Sequence, residues 1–351
     1  MDRKNTNKRK RESSETSVLK LKKDKIPANP LNNTAYPFST GPRKYTVSVA
    51  LPGSIIANAQ GLELKTFLAG QIARALAIFC IDEIVVFDDS GIPKEQSVFE
   101  KHSGVSDPNT FLVHLLRYME TPQYLRKILF PIHRDLRFAG LLNPLDCPHH
   151  LRIDEGFPYR EGVTLDPTQH PKVPKHSTLV EAGLRRKVLV SQKIKPGVRV
   201  TLSMSETSIH KNQYIKAEVV SPSAPRETMG YYWGYNVRFA PSLSAVLTEA
   251  PYGNGYDLTI GTSERGTAFD DVKDHLPAFD HILIVLGGLG GLEAAVDADQ
   301  DLEAGGDSAS TLFDAWVNVC PAQGSRTIRT EEALLITLAQ MKPVVMAKGR
   351  L

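Results

Sequence analysis

Four of the five residues from Gly287 to Gly291 are glycines, which makes this stretch the best candidate for a ligand-binding loop. Glycine accepts positive φ angles and leaves its backbone N–H groups uncovered, so a ligand or another chain segment can approach the main chain closely. The apolar run 281–286 before it is long enough for a buried strand, and residues 292–296 after it resume a helical pattern. A strand, a glycine loop and a helix in this order suggest a nucleotide site.

The common nucleotide-binding motifs do not match this stretch. From Gly288 the sequence reads GLGGLE, so Glu293 stands where the G-x-G-x-x-G fingerprint of dinucleotide-binding proteins needs its last glycine. The phosphate-binding motif G-x-x-x-x-G-K-[ST] does not occur in the chain. The local pattern therefore leaves two interpretations open, a ligand-binding loop and a glycine-rich turn packed against a sheet.

Two further polar segments belong to the same predicted site. Residues 256–266 are predicted to form a strand that ends in a polar loop, and residues 318–329 form a polar loop with proline and glycine. Thr330 is the predicted N-cap of the following helix, with Glu331 and Glu332 suited to its first turn. Ligands of open α/β sheets bind beyond the carboxyl ends of the strands, so we expect the three loops to form one site.

Three segments carry a resemblance to a known family: GTSERG (261–266), LIVLGGLGGLE (283–293) and NVCPAQGSRTIRTEEALL (318–335). They are similar to the cofactor loops of SPOUT-class RNA methyltransferases. From about residue 43 to 345 the chain resembles the eukaryotic and archaeal branch with an inserted OB-like domain, in particular its ribosomal RNA uridine-N3 methyltransferases. The resemblance implies a C-terminal trefoil knot, a homodimer, and S-adenosylmethionine bound in a bent form within the knot.

The resemblance also implies which residues hold the cofactor: Arg265, Gly287, Gly288, Asn318, Gly324, Ser325, Thr327, Ile328 and Thr330. Uridine N3 carries a proton that must be removed before methyl transfer, and Glu264 is the candidate general base. Arginine stays protonated and can only stabilise developing negative charge. The candidates for that role are Arg265, Arg326 and Arg329. A structural alternative stays open for each, since Glu264 could cap a helix and the arginines could pair with Glu331 or Glu332.

The predicted function is therefore methylation of an RNA, most specifically a uridine of large-subunit ribosomal RNA. The alternative is a non-catalytic RNA-binding or assembly protein that keeps the fold. Uninterrupted cofactor loops favour the enzyme. The absence of the Rossmann and P-loop fingerprints disfavours a third class, an enzyme dependent on another nucleotide.

Alternating strand and helix patterns predict the elements that position these loops. Strands are predicted at residues 45–53, 81–89, 230–240 and 256–266, and helices at 61–79, 109–120, 123–129 and 242–249. This alternation predicts an α/β fold with a parallel sheet, and the resemblance implies the SPOUT type, in a discontinuous domain of residues 43–170 and 223–346. Between the two parts, the alternating apolar residues of the segment 171–222 predict a small β-barrel, which the resemblance implies is an inserted OB-like domain.

Basic side chains on the predicted insert suit contact with RNA phosphates: Lys172, Lys175, Arg185, Arg186, Lys187, Lys193, Lys195 and Arg199. Tyr214 is the only aromatic residue there, so base stacking is poorly supported. A structural or dimer-contacting barrel stays open. The segment 133–152 adds further basic groups that face RNA or form a solvated rim: His133, Arg134, Arg137 and Arg152.

The cysteines and histidines predict neither disulfides nor a metal site. The three cysteines are widely spaced and lack a CxxC pattern, which indicates a reducing compartment. The run Cys147–His150 offers metal-ligating atoms, but adjacent histidines have poor ligand geometry and a fourth partner is missing. Neither a membrane span nor a signal peptide is expected, because no long apolar stretch occurs.

Net charge is unevenly distributed along the 351 residues. Residues 1–25 contain ten Lys or Arg and four Asp or Glu, a net charge of +6, so the +3 of the whole chain leaves −3 for the rest. Such a basic, polar segment predicts a disordered tail over residues 1–42. Clustered Lys and Arg are typical of a nuclear import signal and of an RNA-binding arm, so we expect a protein of the nucleus or nucleolus. A merely solubilising tail is the alternative.

Overall fold

The structure is a computed structural model that describes residues 41–91, 105–169, 174, 176–204 and 214–350. In chain order the strands are β1 (Thr46–Pro52), β2 (Glu83–Phe87), β3 (Tyr159–Thr164), β4 (Thr178–Glu181), β5 (Val188–Val190), β6 (Arg199–Met204), β7 (Ile215–Val220), β8 (Asn236–Ala240), β9 (Leu258–Ala268), β10 (His281–Val285) and β11 (Ala315–Asn318). The α-helices are α1 (Leu62–Ile78), α2 (Pro108–Glu120), α3 (Gln123–Leu129), α4 (Ala224–Met229), α5 (Leu243–Thr248), α6 (Phe269–Val272), α7 (Gly291–Ala298) and α8 (Thr330–Lys348).

Six strands form one parallel sheet in the order β11-β9-β10-β1-β2-β8. The predicted α/β fold with a parallel sheet is thereby confirmed. β9, β10 and β11 are neighbours, although they are separated along the chain by helices and loops. Because parallel strands end at the same edge, the loops that follow these three strands meet there. The trefoil knot stays a prediction.

Apolar side chains on both faces explain why the sheet lies inside the protein. β1 is buried along its whole length. Val47, Val49 and Leu51 pack with α1, α2 and α8, whereas Ala50 packs on the opposite face with α5 and α7. Strands covered by helices on both faces are typical of parallel sheets. None of the helices among the described residues is long and apolar enough to cross a membrane.

The inserted domain is a closed five-stranded barrel in the order β3-β4-β5-β7-β6. Its first strand, β3, lies before residue 171, where the sequence pattern placed the start of the insert. β3 was not recognised because Arg160 and Glu161 are polar yet almost fully buried, at 2% and 3% exposure. Their burial hides the alternation of apolar and polar residues that otherwise marks a strand.

An ion-pair network joins the barrel to the sheet domain. Arg199 on β6 donates two hydrogen bonds to the carboxylate of Glu120, the last residue of α2, at 2.5 and 2.9 Å. Its Nε donates to Glu161 on β3 at 2.6 Å. Arg199 was counted among the basic residues available to RNA, but here it bridges two buried carboxylates. Lys172 and Lys175 lie outside the described residues.

Two histidines add hydrogen bonds to this network at the end of α2. His149 and His150 both donate from Nε2 to the backbone carbonyl of Glu120, at 2.9 and 2.7 Å. Burial, and then the neighbouring His149, lower the pKa of His150 to about 3. The sequence analysis considered the run Cys147–His150 for metal binding. Its histidines instead hold the end of α2.

Candidate functional site

A bulge within β9, the loops beyond β10 and β11, and the first turns of α8 line a cavity of about 640 Å³. Small-molecule sites are typically clefts of about 300–1,000 Å³. The three segments singled out in the sequence are therefore brought together at the carboxyl edge of the sheet.

The first wall of the cavity is a bulge within β9. Gly261 pairs with Trp316 of β11, but the next residue of β11, Val317, pairs with Thr267. Residues 262–266 thus leave the ladder and line the cavity, apart from Gly266. Gly266 permits this return, because a Cβ there would lie 2.4 Å from the backbone carbon of Val317. The predicted polar loop is a bulge inside a longer strand.

The second wall is the glycine loop after β10. A Cβ on Gly287 would lie 2.4 Å from the backbone of both Gly291 and Leu292. Gly291 has φ +76° and donates its N–H to the carbonyl of Gly288 at 3.1 Å. The loop therefore folds back on itself so tightly that a side chain at Gly287 is excluded. The tight turn is also a wall of the cavity, and its role in ligand binding stays a prediction.

Gly288 packs against the loops that follow β1 and β2. A Cβ there would lie 3.0 Å from Oδ2 of Asp89 and 3.3 Å from Oγ of Ser54. Ser54 donates to the same carboxylate oxygen at 2.7 Å. Burial raises the pKa of Asp89, and the hydrogen bond from Ser54 acts in the opposite direction. The glycine loop thus lies between the cavity and a partly buried carboxylate.

The third wall is the start of α8, where one prediction was wrong. The N-cap is Arg329, not Thr330, and Glu332 accepts the backbone N–H of Arg329 at 2.9 Å. Thr330 is already the first helical residue. Its hydroxyl donates to the carbonyl of Gly287 at 3.0 Å, which ties α8 to the glycine loop. The sequence rule selected the threonine because threonine caps helices far more often than arginine does.

Most of the predicted site residues line the cavity: Glu264, Arg265, Gly287, Gly288, Asn318, Arg326, Thr327, Ile328, Arg329 and Thr330. Gly324 and Ser325 do not line it, and the hydroxyl of Ser325 donates to the carbonyl of Thr327 at 2.9 Å. The roles of all these residues in binding or catalysis stay predictions.

The purely structural roles that the sequence left open for these residues, helix capping and ion pairing, are not equally supported by the structure. Arg329 lies 3.9 Å from Glu331 and is 71% exposed, so that ion pair is weak. Glu264 is exposed and does not cap α6, whose N-cap is Ala268. Asn318 donates from its side chain to the carbonyl of Glu264 at 2.8 Å. Its amide therefore holds the β9 bulge against β11.

Sequence reasoning missed two further polar groups of the cavity. Glu293 accepts a hydrogen bond from Ser263 at 2.9 Å, which links the glycine loop to the β9 bulge. Thr337 on α8 is fully buried, and its Oγ1 has no hydrogen-bond partner among the described residues. A threonine inside the apolar run 334–341 was the available signal. A buried hydroxyl without a partner costs free energy, so a polar ligand group in the cavity would satisfy it.

The cavity suits a ligand that carries both charges and a polar ring system. Two carboxylates, Glu264 and Glu293, and three arginines line it. An amino-acid moiety needs partners for its ammonium and its carboxylate, and a sulfonium is positive. The tight glycine loop and the unpartnered hydroxyl of Thr337 supply backbone and side-chain hydrogen-bonding groups. The residues present therefore fit S-adenosylmethionine.

Comparisons with known proteins identify the family of the chain. Residues 46–341 match a family described as "Putative RNA methyltransferase". The chain is 53% identical to the mouse protein named 28S rRNA (uridine-N(3))-methyltransferase, over 88% of this chain and 78% of the relative. It is 52% identical to the human protein of that name, over 88% and 80%, and 47% identical to the Drosophila melanogaster one, over 86% and 62%.

Proposed function

This chain belongs to that family of RNA methyltransferases, and we propose that it uses S-adenosylmethionine to methylate N3 of a uridine in large-subunit ribosomal RNA. The observation that carries the proposal is the cavity at the carboxyl edge of the sheet, where the β9 bulge, the glycine loop and the start of α8 meet. The mouse, human and Drosophila melanogaster relatives are named for methylation of this atom in 28S rRNA. The alternative of a non-catalytic assembly protein is disfavoured by the uninterrupted cavity walls.

The proposed chemistry assigns separate tasks to the charged groups of the cavity. When bound, S-adenosylmethionine supplies an electrophilic methyl group, and its sulfur takes the electron pair of the breaking bond. A carboxylate of the chain takes the N3 proton of the uridine, for which Glu264 is the first candidate and Glu293 the second. Arg265, Arg326 and Arg329 stabilise the negative charge that deprotonation places on the uracil ring. The base must reach the cavity unpaired, as in other enzymes that modify bases.

The function is tested by incubating the full chain with labelled S-adenosylmethionine and large-subunit RNA, then mapping the product by mass spectrometry. We expect one uridine to gain a methyl group at N3. Glu264→Gln and Glu293→Gln are compared at equal cofactor occupancy. The variant that lacks the base should lose turnover. It should also lose the fall in turnover at acid pH, because that fall arises from protonation of the base. Cofactor binding without methyl transfer to any RNA would favour the assembly protein instead.

Replacing Thr337 by valine removes the unpartnered hydroxyl at nearly constant shape. We expect the affinity for S-adenosylmethionine to fall roughly three- to tenfold, the equivalent of one neutral hydrogen bond. Stability should not fall, since the hydroxyl has no partner without ligand. Calorimetric titration measures the affinity, and Thr248→Val, whose threonine lies at the exposed end of α5, is the matched control. An unchanged affinity in Thr337→Val would show that the ligand does not reach this hydroxyl.

We propose that the protein is a homodimer that uses the outer face of α8. Leu334, Leu338 and Met341 face the core, whereas Leu335 and Met346 are 47% and 55% exposed. The two exposed residues are eleven apart and therefore lie on one helix face. At micromolar concentration, sedimentation should give twice the chain mass of 38.7 kDa. Leu335→Glu should shift the protein toward monomer, whereas Gln340→Glu should not. A monomeric wild type that methylates RNA would refute the dimer.

We propose that residues 1–25 serve as a nuclear import signal and an RNA-binding arm; they lie outside the described residues. The net charge of +6 on this segment supports both roles. Deleting it should move the protein from nucleus to cytoplasm and reduce the slope of RNA affinity against salt concentration. Fluorescence microscopy and filter binding at several salt concentrations measure the two effects separately. An unchanged location would disprove the import role, and an unchanged slope the RNA-binding role.

A further inference from the structure

Three metal-ligating side chains meet outside the cavity. His114 lies on α2, and His133 and Asp135 belong to the segment after α3. One ligand atom from each lies within 4.8 Å of the other two. Oδ2 of Asp135 is 3.0 Å from Nδ1 of His114 and 3.2 Å from Nδ1 of His133. The carboxylate is fully buried, whereas the His114 and His133 side chains are 22% and 38% exposed, so the cluster is open on one side.

One hydrogen bond holds the His133 ring, but it does not explain why the ring lies so close to the carboxylate of Asp135. Its Nδ1 accepts the backbone N–H of Asp135 at 3.2 Å, so in the neutral ring this nitrogen presents a lone pair. The same nitrogen faces Oδ2 of Asp135, which also presents lone pairs. That oxygen already accepts from Ser106 Oγ at 2.8 Å and from His114. Two acceptors this close repel each other unless a positive charge lies between them.

The two nitrogen–oxygen separations of the cluster are compatible with a metal centre. Bonds of about 2.0–2.1 Å in a tetrahedron place neighbouring ligand atoms roughly 3.3 Å apart. The observed separations of 3.0 and 3.2 Å are close to that value. Ser106 also donates its backbone N–H to the other carboxylate oxygen, at 3.1 Å, and so fixes the orientation of the carboxylate. Such outer hydrogen bonds are typical of metal ligands.

We propose that His114, His133 and Asp135 bind a divalent first-row transition ion such as Zn²⁺. Two imidazoles and a carboxylate are ligands that this class of ion prefers. Binding through Nδ1 requires the Nε2–H tautomer of His114, so its ring proton moves from Nδ1 to Nε2 through solvent, and the Nδ1 lone pair of His133 turns from the backbone N–H of Asp135 to the ion. The remaining coordination position faces the exposed side and takes water. The ion links α2 to the segment after α3 and leaves the proposed methyl transfer to a separate site.

The test is titration of ZnCl₂ into the full chain after chelator treatment and dialysis, followed by calorimetry. We expect one saturable Zn²⁺ per chain. His133→Asn keeps an acceptor for the backbone N–H of Asp135 but removes the imidazole, and we expect its Zn²⁺ affinity to fall at least about tenfold. Co²⁺ in place of Zn²⁺ should give the strong visible absorption of a four-coordinate site in the wild type and lose it in His133→Asn.

His275→Asn is the matched control, because His275 is an exposed histidine in the turn after α6. It should bind Zn²⁺ as the wild type does. A wild type without a saturable Zn²⁺ site would overturn the proposal and assign the positive charge to a protonated histidine. Equal affinities of wild type and His133→Asn would also overturn it, because the ion would then be bound elsewhere. Far-ultraviolet circular dichroism shows whether the variant is folded.

Discussion

Gly287→Ala is expected to lower the affinity for S-adenosylmethionine more than tenfold, or about 1.4 kcal/mol or more in binding free energy. The added Cβ would lie 2.4 Å from backbone atoms of Gly291 and Leu292. Backbone atoms cannot turn aside as a flexible side chain can, so the whole glycine loop must shift. The loop is a wall of the cavity and also accepts the hydroxyl of Thr330. A shift here therefore moves two of the three walls.

Gly253→Ala is the matched control for this substitution. Gly253 is exposed in the loop between α5 and β9, does not line the cavity, and has no heavy atom within 4 Å of the added Cβ. Its affinity should stay within about twofold of the wild type, since surface changes of this kind have small effects. Calorimetric titration gives both affinities. Thermal unfolding checks that Gly287→Ala is folded, because overpacking typically costs only about 1–3 kcal/mol. Equal affinities of the two variants would place the cofactor elsewhere.

The walls of the cavity could be predicted from sequence because each carries a local signal. β10 is an uninterrupted apolar run, and the glycines that follow it can form a turn that other residues cannot. The loop before α8 contains proline and glycine, and the helix opens with two glutamates. The general rule that the loops of parallel strands meet at one edge then predicts that the three loops form one site. The position of the loops needed no knowledge of the three-dimensional contacts.

Features that depend on long-range contacts gave no such signal. The unpartnered hydroxyl of Thr337 becomes visible only when α8 is placed against the cavity. His114 and His133 are separated by α3, and their spacing matches no metal motif. Arg160 and Glu161 lie in β3, and their charges interrupt the alternation of apolar and polar residues that would have predicted this strand. In each case a polar group is buried by segments that are distant in sequence. Only the tertiary structure brings these segments together.

Arg199 is another residue whose role depends on contacts distant in sequence. Its substitution has the largest expected effect on stability. The sequence shows a basic residue on a barrel strand, which suggests RNA contact. The structure places its guanidinium between Glu120 and Glu161, whose side chains are 8% and 3% exposed. Burial by itself would raise the pKa of Glu120, but Arg199 and the hydrogen bond from His149 outweigh it and hold the pKa well below its usual range. The carboxylate is therefore charged and paired in the folded protein.

Arg199→Met should lower the free energy of unfolding by about 3–5 kcal/mol at neutral pH, because it leaves buried carboxylates without their cation. Methionine fills a similar volume, so the loss arises from charge and hydrogen bonding. Arg185→Met, at an exposed position of the same barrel, should change stability by less than about 0.5 kcal/mol. Urea unfolding at pH 7 measures both. A loss in Arg199→Met no larger than in the control would show that the network does not hold the barrel in place.

Lowering the pH should reduce the difference in unfolding free energy between the wild type and Arg199→Met. In the wild type the folded pKa of Glu120 is depressed, so its stabilising contribution is present above the ordinary value of 4.5 and is lost as pH falls toward the folded pKa. In the variant the cation is gone, burial dominates, and Glu120 takes up a proton at higher pH, which relieves the penalty. The two unfolding free energies should therefore begin to converge above pH 4.5, where Glu120 of the variant takes up its proton, and should converge further below pH 4.5, where the wild type loses its stabilisation. A difference that stays constant between pH 7 and pH 4 would mean that Arg199 stabilises the barrel through packing and not through its charge.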